Sequence, residues 1–128
     1  MPWVAALLVL LGAADVSALV GEWTGESRCV GNRAACVDEQ NVYVLKPSAS
    51  TGTVFVVAYK IVNGERVEMG ESDYRYDEQT HRLTWEFTAG STHGVWNFVV
   101  MGTTMQGTLV LLPDKTVVRR VTLTKRIS

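Results

Sequence analysis

The side chains from which chemistry could be built are few: His81 and His93, Cys29 and Cys36, and the adjacent acids Asp38 and Glu39. The two histidines stand at separate strand ends with no third imidazole, so a transition-metal site would need carboxylates from elsewhere. Ser91-Thr92-His93 sets a hydroxyl beside an imidazole. Neighbours on a strand point to opposite faces, however, and Gly90 just before them marks a hairpin turn. Asp38 and Glu39 would have to work as an acid–base pair, yet consecutive strand residues diverge and at most one can face a cavity. Asp73, Asp77 and Glu78 are interrupted by Arg75 and lack the glycine and closing glutamate of a calcium loop, which leaves a solvated hairpin. Gly102 and Gly107 have the glycine spacing of a phosphate loop, but Thr108 stands where a lysine is required, and Gly-x-Ser-x-Gly does not occur. No catalytic residue, metal or cofactor is expected.

The cysteines fit a different chemistry. Six residues separate them, including Gly31 and Asn32, a turn-forming span short enough to bring their Cα atoms within bridging distance. Their spacing is not Cys-x-x-Cys, and two ligands alone do not make a zinc site. A Cys29–Cys36 disulfide is therefore expected, closing a loop worth about 2.5 kcal/mol on the chain-entropy model.

A disulfide requires an oxidising compartment, and the first residues supply a route to one. MPWVAALLVLLGAADVSA is an apolar run followed by small residues, with Val16 and Ala18 three and one before a cut. That is the pattern of a secretory signal peptide over residues 1–18. The run shows no polar face for a buried helix, and Asp15 interrupts it too early for a membrane span. The mature unit is then one domain, residues 19–128, secreted or periplasmic, with no stable membrane insertion after cleavage.

Asp15 is the single charged residue removed with the leader, so 12 basic side chains face 13 − 1 = 12 acidic ones in the mature chain. A neutral protein has no field with which to hold a phosphate backbone, and nucleic acid is excluded as a partner. With 47% apolar and 20% charged residues, the chain is neither disordered nor fibrous, and it can build one core.

The elements that must position these groups read as strands. β-branched and aromatic runs recur at 19–27, 39–46, 53–61, 66–70 continuing past a kink to 76, 82–88, 94–101, 105–112 and 116–125. Turn chemistry separates them, strongest at Asn63-Gly64, where both residues tolerate positive φ. Short connections force antiparallel neighbours, and eight such strands can close on themselves and remove their edges. The expected fold is all-β: an eight-stranded antiparallel up-and-down barrel, with a sandwich as its rival. Leu83, Trp85 and Phe87 alternate inward. The strands at 53–59 and 95–100 are apolar on both faces, so their outer sides need some cover.

Gly21-x-Trp23-x-Gly25-x-Ser27-x-Cys29 opens the mature chain. Cys36-Val37-Asp38-Glu39, Lys60-Ile61-Val62-Asn63-Gly64, Met69-Gly70, Gly94-Val95-Trp96 and Met105-x-Gly107-Thr108-Leu109 follow, and Pro113 and Arg119-Arg120-Val121 close it. This set resembles small secreted bacterial lipocalin-like proteins of the calycin superfamily. The resemblance implies structural roles for Gly21 and Trp23, the tryptophan plugging one end of the barrel, with Arg119 or Arg120 laid across the indole as a cation on an aromatic face. It implies a fold and an address more than a task.

The aromatic residues are the better lead to a task. Trp85, Phe87, Trp96 and Phe98 fall in two successive strands, with Tyr43 or Tyr59 facing them from earlier ones, so they can line one wall of an interior space. The expectation is a non-catalytic barrel that binds a small apolar or amphipathic ligand, with Asn97, a threonine or an acid orienting it. Another class of reading is a packed barrel acting as an envelope interaction or inhibitor module through residues 31–35 and 88–93. A third is a small hydrolase or isomerase with a carboxylate inside. A monomer and a homo-oligomer both remain open. The intact mass of the exported protein is expected to be that of residues 19–128 less the two hydrogens of one disulfide. A product that keeps residues 1–18 and both thiols would overturn leader and bridge together.

Overall fold

The structure is a computed structural model that describes residues 16–127. The expected leader therefore lies outside the described residues except for its last three. Eight strands follow a 3-10 turn at Ser17–Leu19: β1 (Gly21–Cys29), β2 (Glu39–Pro47), β3 (Thr53–Val62), β4 (Glu65–Asp77), β5 (Arg82–Ala89), β6 (Thr92–Met101), β7 (Thr104–Leu112) and β8 (Thr116–Lys125). Each pairs antiparallel with its sequence neighbours, and β8 returns to β1, giving a closed up-and-down barrel. The expected barrel, rather than a sandwich, is the observed architecture. Asn63 and Gly64 both hold positive φ, as their hairpin requires.

Strand alternation decides what fills the interior. Trp23, Tyr43, Leu45, Val54, Val56, Tyr74, Leu83, Phe98, Val100, Met105, Val121 and Leu123 are buried together, and Leu83, Trp85 and Phe87 fall on the inner side as their alternation requires. Of the two strands with two apolar faces, β3 is covered on its outer side. Val57 and Val42 alternate outward, yet are only 3% and 7% exposed. On that outer face the Arg66 guanidinium lies 5.7 Å from the Tyr59 ring centre and pairs with Glu22. A long cationic side chain thus reaches from β4 to β1 over the strands between.

One end of the cylinder is plugged. Trp23 is fully buried and its indole Nε1 donates to the Leu19 carbonyl at 2.9 Å, pulling the 3-10 turn across the opening. The expected arginine clasp on this indole is corrected by the register. Trp23 stands opposite Lys125, whereas Arg119 stands opposite Cys29, six residues further along β1 or roughly 20 Å away. Arg119 instead donates to Ser27 Oγ and to the Val37 carbonyl at the far rim, and Arg120 is exposed on the outer face. The cation on the closing strand that shares the plug is Lys125, whose Nζ donates to the Ala18 carbonyl at 2.8 Å. Gly21, at φ 143°, makes room for it: an added Cβ would lie 2.9 Å from Lys125 Cε.

The disulfide joins Cys29 to Cys36 with their Cα atoms 6.0 Å apart. Asp38 Oδ1 accepts the Cys29 backbone N–H at 2.8 Å, so one of the two candidate acids braces this rim loop.

Closure depends on small residues. A Cβ at Gly25 would fall 1.8 Å from the Thr122 carbonyl oxygen, which is β8 backbone and can yield only if the β1–β8 seam opens. Gly25→Ala is expected to lower stability by about 3 kcal/mol or more in urea denaturation. Gly70→Ala, where a Cβ meets nothing within 4 Å, should stay within about 0.5 kcal/mol. Equal effects at the two positions would refute this account of the seam.

Candidate functional site

The barrel wall is zipped unevenly. β4 pairs with β3 along nearly its whole length, from Val62–Glu65 to Thr53–Arg75, with a bulge where Met69 is inserted opposite Ala58 and Tyr59. It joins β5 only through Arg75–Thr84, Tyr76–Leu83 and Asp77–Arg82. Above these pairs the two strands part, and every residue from 65 to 71 is exposed.

Behind the parted seam lies a cavity of about 250 Å³. Its near lip is Met69, Gly70, Glu71 and Ser72 of β4, and its far wall is Trp85 and Phe87 of β5 with Trp96 of β6. Tyr43, Val56, Ala58 and Tyr74 complete the lining from β2, β3 and β4. The rings pack in layers: Trp85 stacks on Phe87 at 5.1 Å between centres, and Trp96 stacks on Phe98 at 6.0 Å. Glycines let the rings lie flat on the wall. A Cβ at Gly94 would come within 2.7 Å of the Phe87 ring, and one at Gly107 within 2.3 Å of Phe98. Flat rings leave space where upright ones would fill the barrel.

Of the six aromatic residues expected to line an interior space, Tyr43, Trp85, Phe87 and Trp96 border this cavity. Phe98 lies inside the barrel with no exposed surface, beneath Trp96 and against the edge of Tyr43 at 5.8 Å, and so supports the wall from behind. Tyr59 is a correction. Val54, Val56 and Ala58 take the inner face of β3, so Tyr59, one residue out of phase, is turned outward under Arg66. Asn97 likewise turns away from the interior, where its Oδ1 accepts from Arg82 at 3.4 Å.

Tyr74 was missed by sequence reasoning. Its signal was present, since Ser72, Tyr74 and Tyr76 alternate with Asp73, Arg75 and Asp77. Tyr74 packs against Trp85 at 5.5 Å and Phe98 at 6.4 Å. Burial pushes its phenol well above the ordinary tyrosine value, with neighbouring Tyr43 adding to the shift. Burial does the same to Tyr43, helped by the Glu39 charge and opposed by Arg119. Both phenols thus stay protonated as hydrogen-bond donors.

Polar side chains gather near the disulfide rim, outside the lining of this cavity. Asn41 Nδ2 donates to Glu39 Oε1 and to the Tyr59 carbonyl, and Arg119 lies 3.7 Å from Glu39 Oε2. Glu39 thus meets a cation and an amide. Asp38, the other candidate acid, is engaged at the disulfide loop. His93 pairs with Glu86 at 2.6 Å, and His81 meets the Tyr76 hydroxyl at 3.3 Å. No group of His, Cys, Asp and Glu suited to a metal occurs among the described residues. At the open rim a separate cleft of about 570 Å³ lies between the disulfide loop and Thr92, floored by Leu109 and Leu111.

No protein-family model matches this chain, and no curated protein matches it.

The buried phenols give a pH signature. Folding favours their neutral forms, so their contribution is complete below the unfolded value of about 10 and is lost as pH rises above it, where only the unfolded chain releases protons. Urea unfolding between about pH 9 and 11.5 is expected to show stability falling by up to about 1.4 kcal/mol per pH unit for each phenol. The double variant Tyr43→Phe, Tyr74→Phe should flatten that slope. An unchanged slope would mean that these phenols are not the titrating groups.

Proposed function

We propose that the protein is an exported, lipocalin-like carrier that holds a small apolar or amphipathic molecule behind the β4–β5 seam without changing it chemically. The observation that carries the reading is the cavity itself: a lined space, bordered by Trp85, Phe87 and Trp96, where the neighbouring strands β4 and β5 part. An aromatic wall facing a few polar groups is the usual composition of a small-molecule site. The resemblance in Gly21-x-Trp23 and the residues that follow it agrees with a closed eight-stranded barrel plugged by that tryptophan. The Cys29–Cys36 bridge favours an oxidising, extracytoplasmic compartment.

Size narrows the ligand. About 250 Å³ lies just below the roughly 300–1,000 Å³ of common ligand pockets, so the occupant is a compact ring system rather than a long acyl chain. A carboxylate-driven hydrolase or isomerase is disfavoured by the engagement of Glu39 with Arg119 and Asn41. The rim cleft between residues 33–36 and Thr92 supports the other alternative, docking of an envelope protein on the disulfide loop.

N-phenyl-1-naphthylamine, which fluoresces on entering apolar sites, should bind saturably at one site. Trp85→Ala is expected to weaken it about tenfold or more, while Tyr59→Phe, on the outer face, should leave it unchanged. The carrier reading fails if enhancement is absent, or is as strong in Trp85→Ala as in the native chain.

A further inference from the structure

Tyr43 and Tyr74 are 3% and 4% exposed, border the same cavity, and pack on the same Phe98 ring at 5.8 and 6.4 Å. Neither hydroxyl has a hydrogen-bond partner among the described residues. Asn41 Oδ1 is the one fully sealed side-chain polar atom without a partner among those residues. The phenol oxygens are therefore not sealed off, and the space their rings border is the cavity. A buried polar group is ordinarily paired, and two such donors, from β2 and β4, that border one apolar space and lie close enough for the Tyr43 charge to be felt at Tyr74 form an incomplete hydrogen-bonding set.

We infer that the molecule in this cavity carries a hydrogen-bond acceptor oxygen, a carbonyl or a carboxylate, gripped jointly by the hydroxyls of Tyr43 and Tyr74 while its ring lies against Trp85 and Trp96. This rests on the binding reading above and adds to it the class of ligand. An acceptor follows from counting hydrogens. One oxygen with two lone pairs satisfies both O–H groups at once, whereas a ligand ammonium or amide N–H would leave both phenol hydrogens unpaired. Both phenols are donors at neutral pH, as tyrosines ordinarily are, and burial moves their ionisation further upward. The surroundings rank the two oxygens. The aromatic wall suits a neutral carbonyl, whereas at Tyr43 the Glu39 charge outweighs that of Arg119 and adds to the cost of burying a carboxylate.

Three probes with one naphthalene body separate these possibilities by calorimetric titration: 2-acetylnaphthalene, 2-naphthoate and 2-isopropylnaphthalene. At least one oxygen-bearing probe is expected to bind about tenfold more tightly than the isopropyl compound. Whichever wins identifies the source of the acceptor. Tyr43→Phe and Tyr74→Phe should each remove about five- to tenfold of that affinity and leave 2-isopropylnaphthalene unaffected. Neither hydroxyl bonds to a described residue, so both variants should keep the native melting temperature near neutral pH, and the isopropyl probe is an internal reference for each. Equal binding of all three probes, or variants that weaken all three alike, would overturn the acceptor assignment while leaving the carrier intact. Failure of all three to bind would overturn both.

Discussion

The pairing of β8 with β1 is the interaction on which the rest depends, because an eight-stranded sheet left open would present two long unpaired edges and no enclosed interior. Two features in the first strand make the closure specific. Gly25 lets the backbone around Thr122 approach to a distance that no side chain would permit. Trp23 fills the interior at the same end and anchors the preceding 3-10 turn through its indole N–H. Lys125, opposite it on the closing strand, fastens that turn a second time. The plug and the seam are one structure, so the end of the barrel cannot loosen without disturbing the closure.

A cylinder closed and plugged in this way would by default be filled by its own side chains. It is not filled, and the reason is local. The bulge at Met69 and the divergence of β4 from β5 move one strip of wall outward. On the facing wall, Gly94 and Gly107 allow Phe87 and Phe98 to lie along the sheet rather than project from it. Displaced wall and flattened rings together leave a space bordered by two tyrosines. The molecule thus has one end plugged by Trp23 and the 3-10 turn, and an opposite end with a parted seam, a rim disulfide and exposed apolar residues Val62, Val67 and Met69. Binding sites in barrels commonly sit at the mouth, where less packing must be sacrificed.

Much of this was legible in the residues. Strand boundaries followed from turn chemistry, as at Asn63-Gly64, and the antiparallel order followed from short connections. The inward set of β5 followed from alternation. Four of the six expected aromatic residues border the cavity because alternation within a strand is a local property. Tyr59 failed since its strand is apolar on both faces, and a pattern without contrast does not say which parity faces in. Tyr74 was overlooked for the opposite reason: charged neighbours made its strand look like a solvated hairpin. The arginine clasp failed on register, which brings Lys125 rather than Arg119 opposite Trp23.

What the sequence by itself determined, then, was what local stereochemistry sets: eight strands, their turns and the short disulfide loop. Only the tertiary structure decided which strand pairs end early, which cation meets the plug, and which hydroxyls are left without partners. These depend on how strands from distant parts of the chain slide past one another before closing. A one-residue change in that register exchanges inside for outside. No single segment carries that information, because it resides in the simultaneous fit of all eight.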